Sequence, residues 1–599
     1  MMNKKNKIYS AVSLFLTLGF LSACVNKLDV VPSDKIGIDR IINKNTIRGF
    51  RNNIYDNLDK DFTTNYNGQL IETYTDDAFR AGTGTPFDWH NGLLSLAQNF
   101  FAGDLWNQYW MGVRKANLAL EYLPQSTAPK DLITDKNLAQ WIDEAKVVRV
   151  WYHFELIKNF GAVPFIDKAY SSDFNGWAQL KRPTYDEIST RLVSELDEVI
   201  AAGNLLLRNQ TNSDYDKINL AVAYALKSKI LLYNASLLNN PTGDKSKWKR
   251  AADAAKEAIA AIVPEYSLLP LSQYGELFNQ TVSVLNKEVI FRSSVNGEDV
   301  MNNQNGVDLK GIGSATQSSN AGAVPTQELV DCFELLDGSF PVASYNNADH
   351  TSVTLNPGYS EAPGANPYAG RDARLAYDVV FNGTKYGKYK GIPGGAAELK
   401  VFTYNGKSFT GFNNSPTSQE DADRRRSATG YYSRKYRTAA YWGSTAGGTD
   451  ANKIYFRLAE VYLNLAEANC EVEDFDGAIA ALDIIRLRAG QPAISTVPGF
   501  TKTKDFLMKR IRNERRVELC FEGQRFYDQR RWKIIDKTND AVTGMKITSS
   551  NGSDNGIFSY QRVKIDVPRN ATTAKYLILP LPIEEARRLP GIGQPNAWR

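Results

Sequence analysis

The side chains that most often carry out chemistry in proteins are few in this sequence and stand apart from one another. The chain has three histidines and four cysteines. No histidine belongs to an HExxH motif and no two cysteines form a CxxC pair, so no metalloprotease or zinc site of linear spacing is predicted. The histidines are His90, His153 and His350, and the cysteines are Cys24, Cys332, Cys470 and Cys520. We expect no metal and no cofactor.

Two short motifs resemble nucleotide and calcium sites but fail on spacing. Residues 405–408, Asn-Gly-Lys-Ser, end as a phosphate loop does, yet Val401 stands where the first glycine is required. Residues 474–477, Asp-Phe-Asp-Gly, suggest a calcium loop, but Val472 would be its first ligand and Asp483 its twelfth. We interpret the second motif as a turn between two helices.

Composition and charge describe an ordinary globular protein. Of the 599 residues, 43% are hydrophobic and 23% are charged, which excludes a disordered chain and a polytopic membrane protein. The net charge is +5, and Lys4, Lys5 and Lys7 near the N-terminus supply three of these charges. The remaining surplus cannot make the single-sign field typical of nucleic-acid binding, so no nucleic-acid partner is expected.

The first 24 residues have the pattern of an export signal. Lysines are followed by an apolar run over residues 8–20, which is shorter than the ~20 residues that span a bilayer. The run ends in Leu21-Ser22-Ala23-Cys24. This ending resembles the lipobox of bacterial lipoproteins, whose cysteine is acylated and becomes the new N-terminus. We predict a signal peptide over residues 1–23 and a lipid anchor at Cys24.

Helical periodicity dominates residues 40–290 and 450–530. From Arg457 to Gly490, apolar side chains recur every three and four residues in two runs that are separated by a turn. This length matches the period of a tetratricopeptide repeat. A weaker hairpin pattern follows Asn219, and another long helix is predicted to end at Gly161. The fold class is therefore predicted to be mainly α, with tetratricopeptide-like helical hairpins forming a scaffold.

The middle of the chain is different in kind. Residues 291–450 are rich in Gly, Asn, Ser and Thr, with short β-like runs, which indicates loops and short strands. We divide the mature chain into a helical region over 24–290, this middle region over 291–450 and a second helical region over 451–599. Together, residues 24–599 are expected to form one compact unit. Because loops on a rigid scaffold often bind ligands, the middle region is the expected ligand face.

A series of segments in fixed order resembles the SusD/RagB family of outer-membrane nutrient-binding lipoproteins. The segments are residues 144–164, 325–331, 337–338, 371–375, 457–468, 485–490 and 514–532. Taken in order with the lipobox-like ending before them and the final prolines after them, they are spread over nearly the whole chain. The departures are modest. Ala373 stands where a proline is usual, and Cys520 stands where a small apolar residue is usual.

The resemblance implies a non-enzymatic surface protein on the outer face of the outer membrane. Such a protein captures an oligosaccharide and passes it to a SusC-like TonB-dependent transporter. A peptide-binding import lipoprotein of the RagB type is the alternative, because some relatives serve peptide import. A glycoside hydrolase is a second, less favoured alternative, since adjacent acids such as Asp76 and Asp77 arise by chance among 66 acidic residues.

Aromatic rings beside acids, amides or arginines are the candidate contacts for a sugar. The C–H patches of a sugar ring stack on flat aromatic faces, while its hydroxyl groups bind polar side chains. In the starch-binding members of the family, the region around residues 76–91 supplies an acid, an arginine, a tryptophan and an asparagine. The resemblance therefore implies a site at Asp77, Arg80, Trp89 and Asn91. For Trp89, packing within the loop is the alternative to ligand stacking. A second candidate is the pair Tyr441 and Trp442 in the middle loops.

The charged residues near the C-terminus have a structural interpretation. Glu514, Glu518 and Glu522 are spaced four apart, which places them on one face of a helix. They are interleaved with Arg515, Arg516 and Arg525. We predict a buried or semi-buried ion-pair network that holds helices together, with ligand bound elsewhere on the variable loops.

Overall fold

Helices are the main regular element of the fold, which confirms the predicted class. The computed structural model describes residues 43, 45–58, 70–80, 85–279, 286–296, 323–388, 398–401, 403–404, 427–436, 452–538, 541–565 and 569–599. The helices in these segments are α1 (Ile47–Asn52), α2 (Thr85–His90), α3 (Ala102–Tyr122), α4 (Asp135–Phe160), α5 (Tyr185–Ala202), α6 (Leu220–Ala235), α7 (Lys245–Ile262), α8 (Glu276–Asn279), α9 (Gln327–Val330), α10 (Arg374–Asp378), α11 (Leu458–Glu471), α12 (Phe475–Arg488), α13 (Lys504–Glu518), α14 (Arg525–Arg531), α15 (Ile535–Thr538) and α16 (Ile583–Arg588).

The strands of the described segments are short and pair only in twos. They are β1 (Ala78–Phe79), β2 (Val289–Asn296), β3 (Val324–Pro325), β4 (Val342–Tyr345), β5 (Val353–Leu355), β6 (Val379–Val380), β7 (Thr384–Lys388), β8 (Glu398–Val401), β9 (Tyr432–Ser433), β10 (Asn452–Arg457), β11 (Thr543–Ser549) and β12 (Phe558–Lys564). The antiparallel pairs are β1 with β3, β2 with β10, β4 with β5, β6 with β9, β7 with β8, and β11 with β12. Many of them lie in the middle region, as its composition predicts.

Local capping interactions determine where the long helices begin and end. Thr134 before α4 and Thr184 before α5 each form a capping box, in which the threonine side chain and the side chain three residues later satisfy backbone N–H groups reciprocally. Helix α4 ends at Gly161, whose φ of 72° is accessible to glycine at little steric cost. These ends follow from local sequence, which is why periodicity and caps locate the helices well.

Paired antiparallel helices form the predicted hairpins. Helices α11 and α12 pack together over residues 458–488, which confirms the hairpin expected from the 457–490 pattern. Asp474 caps α12 by accepting a hydrogen bond from the Gly477 N–H at 3.0 Å, so the Asp-Phe-Asp-Gly motif is a helix start. Helices α3 and α4 pack closely at Gly112, where a Cβ atom would lie 2.5 Å from the Tyr152 ring. A side chain at residue 112 would therefore require the Tyr152 ring to move.

The largest apolar core joins both ends of the described chain. One cluster of buried side chains extends from Ile47 through Trp106 to Trp598. Cys470 and Cys520 are free thiols and are buried, as small apolar side chains usually are. The helices described here include none that is both long enough and apolar enough to cross a membrane.

The predicted ion-pair network is present and buried. Glu518 and Glu522 are 0% and 8% exposed, and they share Arg457, which is 1% exposed. Glu518 also accepts from Arg374 at 2.8 Å, and Glu522 lies 2.9 Å from Lys435. The cations therefore come from α10, from the end of β10 and from residue 435, so the network joins elements that are distant in sequence.

The arginines adjacent to these glutamates in sequence have other partners, which corrects the predicted pairing. Arg515 binds Asp528 at 2.9 Å, while Arg516 and Arg525 bind Asp76 at 3.0 and 2.8 Å. Helix α13 also ends at Glu518, so Glu522 lies beyond the helix on which it was expected. Consecutive side chains on a helix point in different directions, and neighbours in sequence therefore pair with different acids.

Candidate functional site

The acids expected to contact ligand are instead part of the interior. Asp77 is 0% exposed, and its Oδ1 accepts from the Arg516 Nε at 2.6 Å. Burial raises the pKa of Asp77, and the neighbouring Asp76 carboxylate raises it further. Burial opposes the ionisation of Asp76 as well, but Arg516 and Arg525 hold its pKa at about 2. Asp77 is thus a buried anchor for α13, and the prediction that it binds ligand is corrected.

Trp89 lies in the core, which favours packing over the alternative of a stacking surface for ligand. Its side chain is 3% exposed. The ring packs edge-on against Tyr576 at a centroid distance of 4.8 Å and is stacked with Phe101 at 6.1 Å. Tyr74 and Phe526 lie 5.7 and 5.5 Å away. A sugar cannot reach a face of this ring, and we assign Trp89 to packing.

Arg80 and Asn91 are the members of the first predicted set that keep part of their surface exposed. Arg80 follows β1, and partial burial lowers the pKa of its guanidinium group. Asn91 follows α2, and its carbonyl oxygen accepts from the Asn570 side chain at 3.4 Å. Their role in binding stays a prediction. Tyr441 and Trp442, like Cys24, lie outside the described residues.

An aromatic pair that the sequence analysis missed lies on the β4–β5 hairpin. The rings of Tyr345 and His350 are stacked, with centroids 4.1 Å apart and an angle of 25° between their planes. Tyr345 is 39% exposed, and His350 is half-buried. We call these two rings the hairpin platform. A lone histidine and one tyrosine five residues earlier form no motif, so only the fold reveals that they stack.

Buried acids hold both rings of the hairpin platform in place. The Tyr345 hydroxyl donates to Asp331 Oδ2 at 2.8 Å, and burial of the hydroxyl together with the Asp331 charge raises the pKa of Tyr345. Asp331 is fixed by two hydrogen bonds from Arg562 at 2.6 and 2.9 Å. His350 Nδ1 lies 3.1 Å from Glu328 Oε1, and Glu328 also accepts from the Thr543 hydroxyl at 2.7 Å. The tyrosine is therefore oriented before any ligand arrives.

Exposed polar groups lie on the same hairpin as the hairpin platform. The turn between β4 and β5 contains Asn346 and Asn347, which are exposed. Asn346 Oδ1 accepts from Ser344 and Thr354 at 3.1 and 3.0 Å, while Asn347 Nδ2 donates to the Thr351 hydroxyl at 2.9 Å. Amides and hydroxyl groups of this kind can exchange their hydrogen bonds for those of a polyhydroxylated ligand. The arrangement combines an exposed aromatic ring with neutral hydrogen-bonding groups.

Helix α9 connects the hairpin platform to the segment predicted from sequence. Thr326, which caps α9, donates through its hydroxyl to the Asp76 carbonyl at 2.6 Å and through its N–H to the Asp77 carbonyl at 3.0 Å. Glu328, two residues later, binds His350.

Among the described residues, no group of three or more His, Cys, Asp and Glu side chains could hold a metal ion.

Comparison with known proteins identifies the family. Residues 287–598 match the model of the SusD family, and residues 28–232 match a SusD-like model described as starch-binding and associating with the outer membrane. A SusD-like protein of Formosa agariphila is 24% identical over 564 residues, which are 91% of this chain and 94% of that protein.

Solved structures share the same fold. A SusD-like protein of Bacteroides fragilis superposes with a TM-score of 0.73 at 25% identity, covering 94% of this chain and all of that one. The surface glycan-binding protein A of Bacteroides uniformis superposes with a TM-score of 0.58 at 20% identity, covering 92% and 99%. The chain belongs to the SusD family.

Proposed function

We propose that this protein is a cell-surface lipoprotein that binds oligosaccharides and delivers them to a SusC-like TonB-dependent transporter. The hairpin platform is the observation that carries the binding part of the proposal. It has an exposed ring held by buried acids, and the same hairpin carries amides and hydroxyl groups, which suits the C–H faces and hydroxyl groups of a sugar. The family description and the glycan-binding relative of the same fold support the ligand class.

Binding at Tyr345 is tested with two substitutions at one position. The soluble protein from residue 25 onward is screened on a glycan array, and the affinity for the best glycan is measured by calorimetry. Tyr345→Ala removes the ring and is expected to weaken binding about 5- to 150-fold, which corresponds to the ~1 to 3 kcal/mol typical of an aromatic contact. Tyr345→Phe keeps the ring, loses only the bond to Asp331 and is expected to bind within about threefold of the native protein.

Equal affinity of the native protein and Tyr345→Ala would reject the hairpin platform as the site. Arg80→Ala and Asn91→Ala would then test the segment predicted from sequence. A pool of peptides is screened in parallel. Binding of peptides without binding of glycans would favour the import of peptides, and release of reducing sugar would favour a hydrolase.

The anchor and the transporter are proposed on separate grounds. The anchor rests on the Leu-Ser-Ala-Cys ending of the leader, and delivery rests on the family resemblance. Cys24→Ala is expected to release the protein from membranes or to block its maturation. Affinity purification of the native protein in mild detergent is expected to recover a large β-barrel protein in similar amount. Recovery of this chain alone, with unchanged oligosaccharide uptake after its deletion, would reject delivery.

A further inference from the structure

The helical scaffold contains a cleft that is lined by none of the hairpin-platform residues. The cleft has a volume of about 510 Å³ and lies between helix α3, the segment that follows α4, and the C-terminal residues around α16. This volume is within the ~300 to 1,000 Å³ typical of small-molecule sites. None of the hairpin-platform residues lines the cleft, so it is a separate candidate site.

The lining of the cleft is mostly apolar and includes aromatic rings. Trp110 and Met111 on α3 form one wall, Tyr170 and Trp177 form another, and Ile592 closes the C-terminal side. Met111 is 54% exposed, which is unusual for a large apolar side chain beside two tryptophans. The Nε1–H of Trp110 is buried and has no acceptor among the described residues. An apolar ligand body would cover this surface and release its water.

The wall on the C-terminal side is held firmly in position. Arg182 donates to the carbonyl groups of Ile592 and Gly593 at 3.1 and 2.8 Å, and to that of Ala162 at 2.6 Å. One guanidinium group therefore joins the end of the chain to the segment that follows α4. A cleft with fixed walls loses little conformational freedom when a ligand enters, which favours binding.

Positive charge dominates the mouth of the cleft. Three of its four charged lining residues are cations, and the single acid, Glu585, is already paired with Arg588 at 2.9 Å. Arg114 and Lys168 are exposed, and neither pairs with a carboxylate in the described chain. Both cations lie beside Tyr170 instead. Arg114 donates a hydrogen bond to the carbonyl oxygen of Tyr170 at 2.6 Å, and the Lys168 Nζ lies 4.9 Å from the centroid of the Tyr170 ring. Two cations without acids therefore stand beside an apolar surface.

We propose that this cleft binds a small amphiphilic anion, a single apolar body that carries one carboxylate or sulfonate group. The apolar body lies against Trp110, Met111 and Trp177, and the anionic group lies between Arg114 and Lys168. Neutral sugars lack the charge that this mouth complements. The proposal is independent of the glycan site, because the two sites share no lining residue.

Three probes of equal chain length separate the contributions of charge and apolar contact. Calorimetry with the folded soluble protein uses decanoate, decanol and decyltrimethylammonium, all below their aggregation limits. Decanoate is expected to bind with a Kd of about 0.1 to 1 mM, because a ligand with so few heavy atoms gains little binding free energy. Decanol is expected to bind at least about fivefold more weakly, and the cationic probe still more weakly.

Matched variants locate the site. Arg114→Gln and Lys168→Gln are each expected to weaken decanoate about 3- to 10-fold, and the double variant should bind decanoate no better than decanol. Met111→Glu places an anion on the apolar wall and should abolish decanoate binding. All three positions are exposed, so folding should be retained. The control is Lys546→Gln, an exposed lysine on β11 that does not line the cleft.

Three results would overturn the proposal. Equal affinity for decanoate and decanol would show that charge plays no part. Decanoate binding that survives in Met111→Glu would place the ligand elsewhere. Binding to vesicles of phosphatidylglycerol that depends on Arg114 and Lys168, without binding of free decanoate, would assign the cations to a membrane surface instead. The glycan affinity of Tyr345→Ala has no bearing on these outcomes.

Discussion

Replacing Arg457 should be among the most destabilising changes outside the apolar core. Its guanidinium group is 1% exposed and lies 2.9 Å from Glu288 and 2.8 Å from Glu522, and it also contacts Glu518. Burial alone would lower the pKa of Arg457, but Glu522 and Glu518 raise it well above its usual value. Arg457→Met keeps much of the apolar volume while it removes the charge.

The expected loss follows from the acids left behind. Removing one partner of a buried ion pair costs about 3 to 5 kcal/mol, because the remaining charge is neither solvated nor compensated. Each of the three glutamates keeps another cation, since Arg488 contacts Glu288 and Glu518, and Lys435 contacts Glu522. The cost should therefore stay within this range and not increase threefold. The unfolding entropy is ~2 cal/mol/K per residue, summed over 599 residues. Divided by this total, the expected loss of about 3 to 5 kcal/mol lowers Tm by roughly 2 to 4 °C.

The assay is urea and thermal unfolding of the purified soluble protein, followed by circular dichroism. Arg587→Met is the matched control, because Arg587 is 71% exposed and pairs with Glu584 on the surface of α16. Exposed pairs contribute about 0 to 1 kcal/mol, so the control should unfold nearly as the native protein does. If Arg457→Met were as stable as Arg587→Met, the ion-pair network would not hold these elements together.

Two further changes test the interior. Trp89→Ala should lower the free energy of unfolding by about 3 to 5 kcal/mol, because it leaves a cavity between Tyr576 and Phe101. The molecules that remain folded should keep their glycan affinity. A loss of glycan affinity without a loss of stability would contradict this prediction. Burial raises the pKa of Glu72 from its usual 4.5 to about 7. Between these pH values the folded state therefore binds a proton that the unfolded state has released. The free energy of unfolding should fall by on the order of 3 kcal/mol as pH rises from 4.5 to 7. Glu72→Gln, which keeps an acceptor for the Gly523 N–H, should remove this decrease; parallel pH profiles of unfolding for the native protein and the variant would contradict the assignment.

The two candidate sites are held in place by different residues of the scaffold. The hairpin platform depends on buried acids at residues 328 and 331 that orient an exposed ring. The cleft depends on Arg182, which fixes the end of the chain against the segment that follows α4. Both sites are thus held by hydrogen bonds made beneath the surface. The cation variants leave Arg182 in place, and Tyr345→Phe removes the bond to Asp331 but leaves the bonds from Arg562 to Asp331.

Short-range patterns in the sequence were sufficient for the helical scaffold. Apolar spacing located α11 and α12, and the glycine after Phe160 marked the end of α4, because helix periodicity and capping depend on residues within a few positions of one another. The charges at 514, 518 and 522 likewise indicated a buried network. Their partners were not predictable in the same way, since Arg374 and Arg457 lie more than 50 residues away.

Burial and long-range pairing were decided only by the tertiary structure. Trp89 stands in a polar stretch of sequence that is typical of a binding loop, yet Phe526 and Tyr576, more than 400 residues later, cover its ring. Tyr345 becomes a presented surface because Asp331 and Arg562 hold its hydroxyl end. The residue type alone determines which side chains can stack or ionise. Whether a given ring faces solvent depends on contacts between segments that local patterns do not connect.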